Sequence, residues 1–207
     1  MNRIGVLVSG GGTNLQAIID AVASGYIPDA IISAVISNRK DAYALERARK
    51  HGIDAVFVDR AKYSSSEEFN NAILEELASR KVDFICLAGY LMMLSPAVVR
   101  KYSGRILNIH PALLPKFGGP GMYGHHVHEA VLKAGETESG CTVHFVDEIY
   151  DHGAVILQAK VPVKEGDTPD TLAKRILEQE HRIFPEAVKL FCEDRIELAD
   201  GKTSIRE

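Results

Sequence analysis

Apolar and polar positions alternate between two periods along this chain. Residues 4–8 are an unbroken apolar run, the pattern of a strand buried on both faces, and the run stops at Ser9-Gly10-Gly11-Gly12-Thr13-Asn14. Beyond that loop Leu15, Ile18, Ile19 and Val22 fall at i, i+3, i+4 and i+7, so one helical face is apolar. Gly25 suits the helix exit, and residues 30–37 read as a second buried strand. A helix over 43–51, closed by Gly52, precedes a brief strand at 55–58. Ser64 with Glu67, or Ser65 with Glu68, offers a capping box for a helix running to residue 80, with Phe69, Ile73 and Leu77 on one face. A strand at 84–88 follows, then a short helix opened by Ser95 and Pro96 and ending at Gly104. This alternation predicts an α/β fold: three layers, with a mainly parallel, Rossmann-like sheet and helices on both faces.

The second half carries polar groups in its strands. Within residues 105–115, Asn108 and His110 stand two apart, so strand periodicity aims both at one face, and Pro111 ends the ladder just after them. A carboxamide beside an imidazole can hydrogen-bond a developing oxyanion and move a proton, as acyl transfer requires. Both could equally be satisfied hydrogen-bonders at a strand end. Residues 116–126 hold Gly118, Gly119, Gly121 and Gly124 around Pro120, which predicts a mobile loop. After a helix over 126–133 and Gly135, Cys141, Val143 and Phe145 alternate with Thr142, His144 and Val146 as a half-buried strand. A turn over 147–153 leads to a strand at 154–163. Thr168-Pro169-Asp170 starts the last long helix, which Pro185 is expected to kink or divide before Cys192. Residues 196–205 predict a hairpin turning at Asp200-Gly201.

Composition narrows the classes. With 207 residues, 46% hydrophobic and 25% charged, the chain can bury a sizeable core, and no repeat or linker marks a second domain. A net charge of -4 argues against a nucleic-acid partner held by bulk charge. The three cysteines, Cys86, Cys141 and Cys192, have no paired spacing and read as thiols of a reducing compartment. The first apolar run is too short for a signal peptide or a membrane span. The expectation is a cytoplasmic protein without a membrane partner; a homodimer stays open.

Three constellations offer chemistry. The glycine loop can present backbone N–H groups and a helix N-terminus to an anion, with Thr13 and Asn14 as further donors. Leu15 occupies the place of the third glycine in a dinucleotide fingerprint, the second strand ends in Ser37-Asn38 instead of an acid, and no P-loop lysine follows. A phosphomonoester fits better, with a purely structural tight turn as the alternative. Asp151, in the 147–153 turn, would favour the imidazolium of His110 and raise its pKa if it came within reach; alone it reads as a solvated turn acid. His125, His126, His128, His144 and His152 do not make a metal site, since His126 and His128 point to different sides of a helix, and they read as solvated or core-edge residues.

Taken together, Ser9-Gly-Gly-Gly-Thr-Asn-Leu-Gln-Ala-Ile, Leu87-Ala-Gly-Tyr, Asn108-Ile-His-Pro-Ala-Leu-Leu-Pro, Cys141-Thr-Val-His-Phe-Val and Ile156-Leu-Gln-Ala-Lys-Val-Pro-Val resemble the phosphoribosylglycinamide formyltransferases, within the formyltetrahydrofolate-dependent formyltransferase family. The resemblance covers nearly the whole chain. It implies one formyltransferase domain over 1–207, with a phosphate-binding half at 1–104 and a catalytic, folate-binding half at 105–207. It implies that Asn108, His110 and Asp151 are catalytic, with His110 as general acid. Gly12, Thr13, Asn14 and Glu180 would bind glycinamide ribonucleotide. Leu91, Met92, Met93, Leu94 and Asn108 would bind folate. The implied donor is N10-formyltetrahydrofolate, with no metal.

Relatives of the same core leave other acceptors open. Methionyl-tRNA formyltransferase shares Asn-x-His-Pro, but this chain lacks a basic C-terminal domain for tRNA. Formyltetrahydrofolate deformylase shares the core yet normally carries an N-terminal regulatory domain, whereas the first strand here begins at Ile4. A non-catalytic nucleotide-binding protein would leave Asn108, His110 and Asp151 without a shared task. Two departures from the family pattern stand out: the family often has Met-Arg-Ile-Leu where this chain has Leu91-Met92-Met93-Leu94, and Ser66 replaces a frequent basic residue. Both bear on contacts to the folate tail.

Overall fold

The apolar run at 4–8 becomes strand β1 (Asn2–Val8), fully buried from Ile4 onward, in a computed structural model that describes residues 1–206. Two compact units divide the chain, one ending at Leu107 and the other starting at Asn108.

In the first unit β1 pairs in parallel with β2 (Ala30–Ser37), β2 in parallel with β3 (Ala55–Phe57), and β1 on its other side in parallel with β4 (Phe84–Leu87). The strand order therefore reverses between β1 and β4. Right-handed crossovers then set helices α1 (Thr13–Ala23) and α2 (Tyr43–Lys50) on one face, and α3 (Ser66–Ser79) with α4 (Pro96–Lys101) on the other. Their apolar stripes are the expected ones: Leu15, Ile18 and Ile19 on α1 and Phe69, Ile73 and Leu77 on α3 are buried. Gly5 permits close approach, since a Cβ there would lie 2.8 Å from Leu77 Cδ2 and 2.9 Å from Val82 Cγ1. The capping box of α3 is half as expected: Ser65 Oγ accepts from Glu68 N–H, but the Glu68 carboxylate accepts from Ser64 N–H.

The second unit starts inside strand β5 (Ile106–His110) and continues through α5 (His125–Lys133), β6 (Glu138–Phe145), β7 (Val155–Pro162) and α6 (Pro169–Cys192). It ends in the hairpin β8 (Ile196–Ala199) and β9 (Lys202–Ile205), with Asp200 and Gly201 both at positive φ as a two-residue turn demands. The seven strands of the main sheet follow the order β3-β2-β1-β4-β5-β6-β7, mostly parallel, with β6 and β7 antiparallel.

Two expectations fail here. Pro185 does not divide the last helix; α6 runs through it for 24 residues, and Ile183, Phe184, Ala187 and Val188 around it are buried. Burying several such side chains, at on the order of 2 kcal/mol each, outweighs the one backbone hydrogen bond that proline removes. Strand β6 is not half-buried either: every residue from Ser139 to Phe145 is buried, His144 included.

Candidate active site

In the first unit, the crevice of the topological switch lies past the carboxyl ends of β1 and β4, the usual ligand position in an open α/β sheet. Its two lips are the glycine loop after β1 and the 89–94 segment after β4. Ser9 joins them: its N–H donates to Gly89 C=O at 3.0 Å, its Oγ accepts from Leu91 N–H at 2.9 Å and donates to Asn38 Oδ1 at 2.6 Å. Gly12, with φ of 70°, precedes α1, and a Cβ there would lie 2.6 Å from Ala44 Cβ on α2. Gly10 and Gly11 face open space. The loop thus has one structural glycine and two that leave its backbone accessible, with Thr13 exposed at the helix start. Arg47, which the sequence reading passed over, reaches the loop from α2, its Nε donating to Gly11 C=O at 2.8 Å. Leu91 and Met93 are exposed, Met92 is half-buried and Leu94 is buried.

In the second unit, Asn108 and His110 leave β5 as the two-residue spacing predicted, and Asp151 meets His110. Asp151 Oδ2 is 3.7 Å from His110 Nδ1, and Oδ1 is 3.6 Å from Nε2 of His144. Asn108 Nδ2 sits 3.0 Å from the same His144 Nε2. His144 Nδ1, at 2.7 Å from Phe145 C=O, must donate its hydrogen there. Its Nε2 therefore accepts from the Asn108 amide, which keeps its second N–H for another acceptor. The His144 ring is what links Asn108 to Asp151.

Backbone from the glycine-rich segment completes the cluster. His110 Nε2 donates to Phe117 C=O at 2.8 Å, which makes Nδ1, on the Asp151 side, the basic nitrogen. Gly119 N–H donates to Asp151 Oδ2 at 2.9 Å. A Cβ at Gly118 would stand 2.6 Å from Leu114 Cδ2 and 3.1 Å from Asp151 Cβ, so those side chains would have to shift to admit one. The expected mobile loop thus has its first residues tied to the cluster. Thr142 braces the chain after His110: its Oγ1 donates to Ala112 C=O at 2.6 Å and accepts from Leu114 N–H and Gln158 Nε2. A register shift between Val143 and His144 marks a β-bulge beside the cluster.

The electrostatics differ from expectation at His110. Burial pushes its pKa below the ordinary value, outweighing the Asp151 carboxylate and the Phe117 carbonyl, which pull it upward. The resting imidazole is therefore neutral at pH 7, and Asp151 limits the depression instead of producing a net rise. Burial raises the Asp151 carboxyl, but His144, His110 and the Gly119 N–H together hold it below the usual range, so it stays ionised. Glu180 is buried on α6; after burial itself, its charge is what pushes the Cys141 thiol up to about 12. Among the described residues no cluster of ligating side chains could hold a metal ion, and no helix is long and apolar enough to cross a membrane. His125 and His126 pair with Glu129, and His125 also with Asp170.

A family model described as formyl transferase matches residues 2–188, so the chain belongs to the formyl transferase family and is a formyl-group transferase with a folate-type donor. Its similar relatives are more specific. A phosphoribosylglycinamide formyltransferase of Haemophilus influenzae is 46% identical over 97% of this chain and 92% of its own length. The Escherichia coli protein of that name is 44% identical over 96% and 91%. Among solved structures, glycinamide ribonucleotide transformylase 1 from Symbiobacterium toebii superposes with a TM-score of 0.95 at 48% identity, covering 100% of this chain and 95% of the other.

Proposed function

We propose that this chain transfers the formyl group of N10-formyltetrahydrofolate to the primary amine of 5′-phosphoribosylglycinamide, giving formylglycinamide ribonucleotide and tetrahydrofolate in purine biosynthesis. The observation that carries the proposal is Asp151 held between the His110 and His144 imidazoles, with the Asn108 amide hydrogen-bonded to His144. The names of the relatives support the choice of acceptor.

The roles follow from the atoms. As the substrate amine bonds to the formyl carbon, the carbonyl electron pair moves to oxygen, where the second Asn108 N–H can stabilise it. His110 Nδ1, unprotonated at rest, takes the proton the amine must shed, and Asp151 stabilises the imidazolium so formed. When the bond from that carbon to N10 breaks, His110 returns the proton to N10 as general acid. The accessible glycine-loop backbone with Gly12, Thr13 and Asn14 suits the phosphate, and Glu180 the remainder of the nucleotide. Leu91, Met92, Met93 and Leu94 supply apolar surface for the folate. The family match spans both compact units, which supports reading them as halves of one domain. Reduced thiols at Cys86, Cys141 and Cys192 favour the cytoplasm.

The test is incubation with labelled N10-formyltetrahydrofolate and glycinamide ribonucleotide, with water and charged initiator tRNA as competing acceptors. Label should accumulate on the ribonucleotide. Label on tRNA, or release as formate alone, would assign a different acceptor.

A further inference from the structure

Within the first unit, the carbonyls of the glycine loop are taken up from behind by α2. Gly10 C=O accepts from the Ala44 N–H at 3.2 Å, and Gly11 C=O accepts from Arg47 Nε at 2.8 Å. Gly12 rests directly on the same helix, where Ala44 fills the space a Cβ would need. In a planar trans peptide the C=O and the following N–H point in opposite directions, so anchoring these two oxygens turns the N–H groups of Gly11 and Gly12 away from α2. Among the described residues neither N–H makes a hydrogen bond. Two successive donors left open in this way suit an anion.

Arg47 is itself held in one pose. Its Nη1 donates to Gln16 Oε1 on α1 at 3.0 Å, and the Gln16 amide is fixed in turn by donating to Asp20 Oδ1 at 2.8 Å. The guanidinium lies over the Tyr43 ring, 5.0 Å from its centroid, and Lys50 Nζ donates to the Tyr43 hydroxyl at 3.1 Å. One half-buried side chain thus joins the loop, α1 and α2.

We propose that Arg47 is a positioning residue for the nucleotide substrate, a role that rests on the formyl-transfer reading above and on the glycine loop as its phosphate site. By holding Gly11 C=O against α2, Arg47 keeps the Gly12 N–H of the same peptide unit turned toward the phosphate, beside the Gly11 N–H. It acts through the loop and sets the preference for a phosphorylated acceptor over the bare ribonucleoside. Glycine peptides rotate more freely than any others, so a run of three needs an outside anchor to keep its donors aligned. A guanidinium suits this task because its rigid fork reaches the loop carbonyl and Gln16 at once. A lysine in its place keeps the charge but brings a single flexible ammonium.

The experiment is calorimetric titration of the intact protein with glycinamide ribonucleotide and with glycinamide ribonucleoside, which lacks the phosphate. The parent should bind the ribonucleotide more tightly. Arg47→Ala should weaken ribonucleotide binding about tenfold, the range of one charge-assisted hydrogen bond, and leave the ribonucleoside bound as in the parent, which also shows the variant folded. Arg47→Lys should lose nearly as much, because charge alone does not align the loop. Equal losses on both ligands, no loss on either, or full recovery by Arg47→Lys overturns the positioning role. A parent that binds the two ligands equally overturns the glycine loop as a phosphate site as well, while the formyl-transfer reading stands or falls on its own labelling assay.

Discussion

Asp151 Oδ2 lies 3.7 Å from Nδ1 of His110, nearer than solvent separation and farther than a hydrogen bond. That spacing is what two acceptors show when the shared proton is absent, since His110 Nε2 has already committed its hydrogen to Phe117 C=O. Asp151 is thus placed to respond to a proton that arrives during the reaction. Asp151→Asn should lower turnover on the order of a hundredfold or more. It also removes the charge that holds the His110 pKa up against burial, so the acidic limb of the pH–rate profile should move to lower pH. Rate measurements across the acid range check both; an unmoved limb removes Asp151 from the proton path.

Gly118→Ala should disturb the same pair from outside it. The new Cβ would press on Leu114 and Asp151, shifting the carboxylate away from Gly119 N–H. Misplacement on the order of 1 Å can cost about a hundredfold in rate. Turnover should fall while the melting temperature changes little, because the residue sits in a loop; steady-state kinetics beside a thermal melt decides it.

His144→Leu should leave two partners, the half-buried Asn108 amide and the buried Phe145 carbonyl, without their hydrogen bonds. Each orphaned group costs about 1–3 kcal/mol, so both stability and turnover should drop. Denaturant unfolding together with a kinetic assay would show it; a variant as stable and active as the parent contradicts the geometry.

How much of this was legible in the sequence depends on the range of the interactions. The glycine loop, the Asn108 and His110 spacing and the stripe of Phe69, Ile73 and Leu77 are local patterns with periods of two or 3.6, and they appear where expected. Asp151 became meaningful only through the fold, since its turn and β5 are far apart in sequence. His144 was passed over as a core-edge histidine; its available signal was position, two residues after Thr142 on the polar side of a strand pattern. The roles of Phe117, Gly118 and Gly119 were illegible, because backbone groups carry no residue signature. The net fall in the His110 pKa required its burial, which no spacing reveals.

Stability should depend on pH through His128, a buried residue outside the proposed proton path. Burial pushes its pKa down to about 4. Between the unfolded value near 6.5 and that folded value, the unfolded chain binds a proton that the folded chain refuses, so stability falls as pH drops through this window. The difference amounts to on the order of 3 kcal/mol at full development. His110 acts in the same direction. Urea unfolding of His128→Gln at pH 7 and pH 4.5 should show a smaller loss on acidification than the parent; an identical loss contradicts the assignment.

The most direct measurement is the rate of labelled formyl transfer to glycinamide ribonucleotide by the parent protein, His110→Ala, Asp151→Asn and the double variant. Two groups serving one proton transfer should not lose rate independently, so the double variant should be no slower than His110→Ala alone. Losses that multiply, or a parent protein that leaves the ribonucleotide unlabelled, would contradict the account.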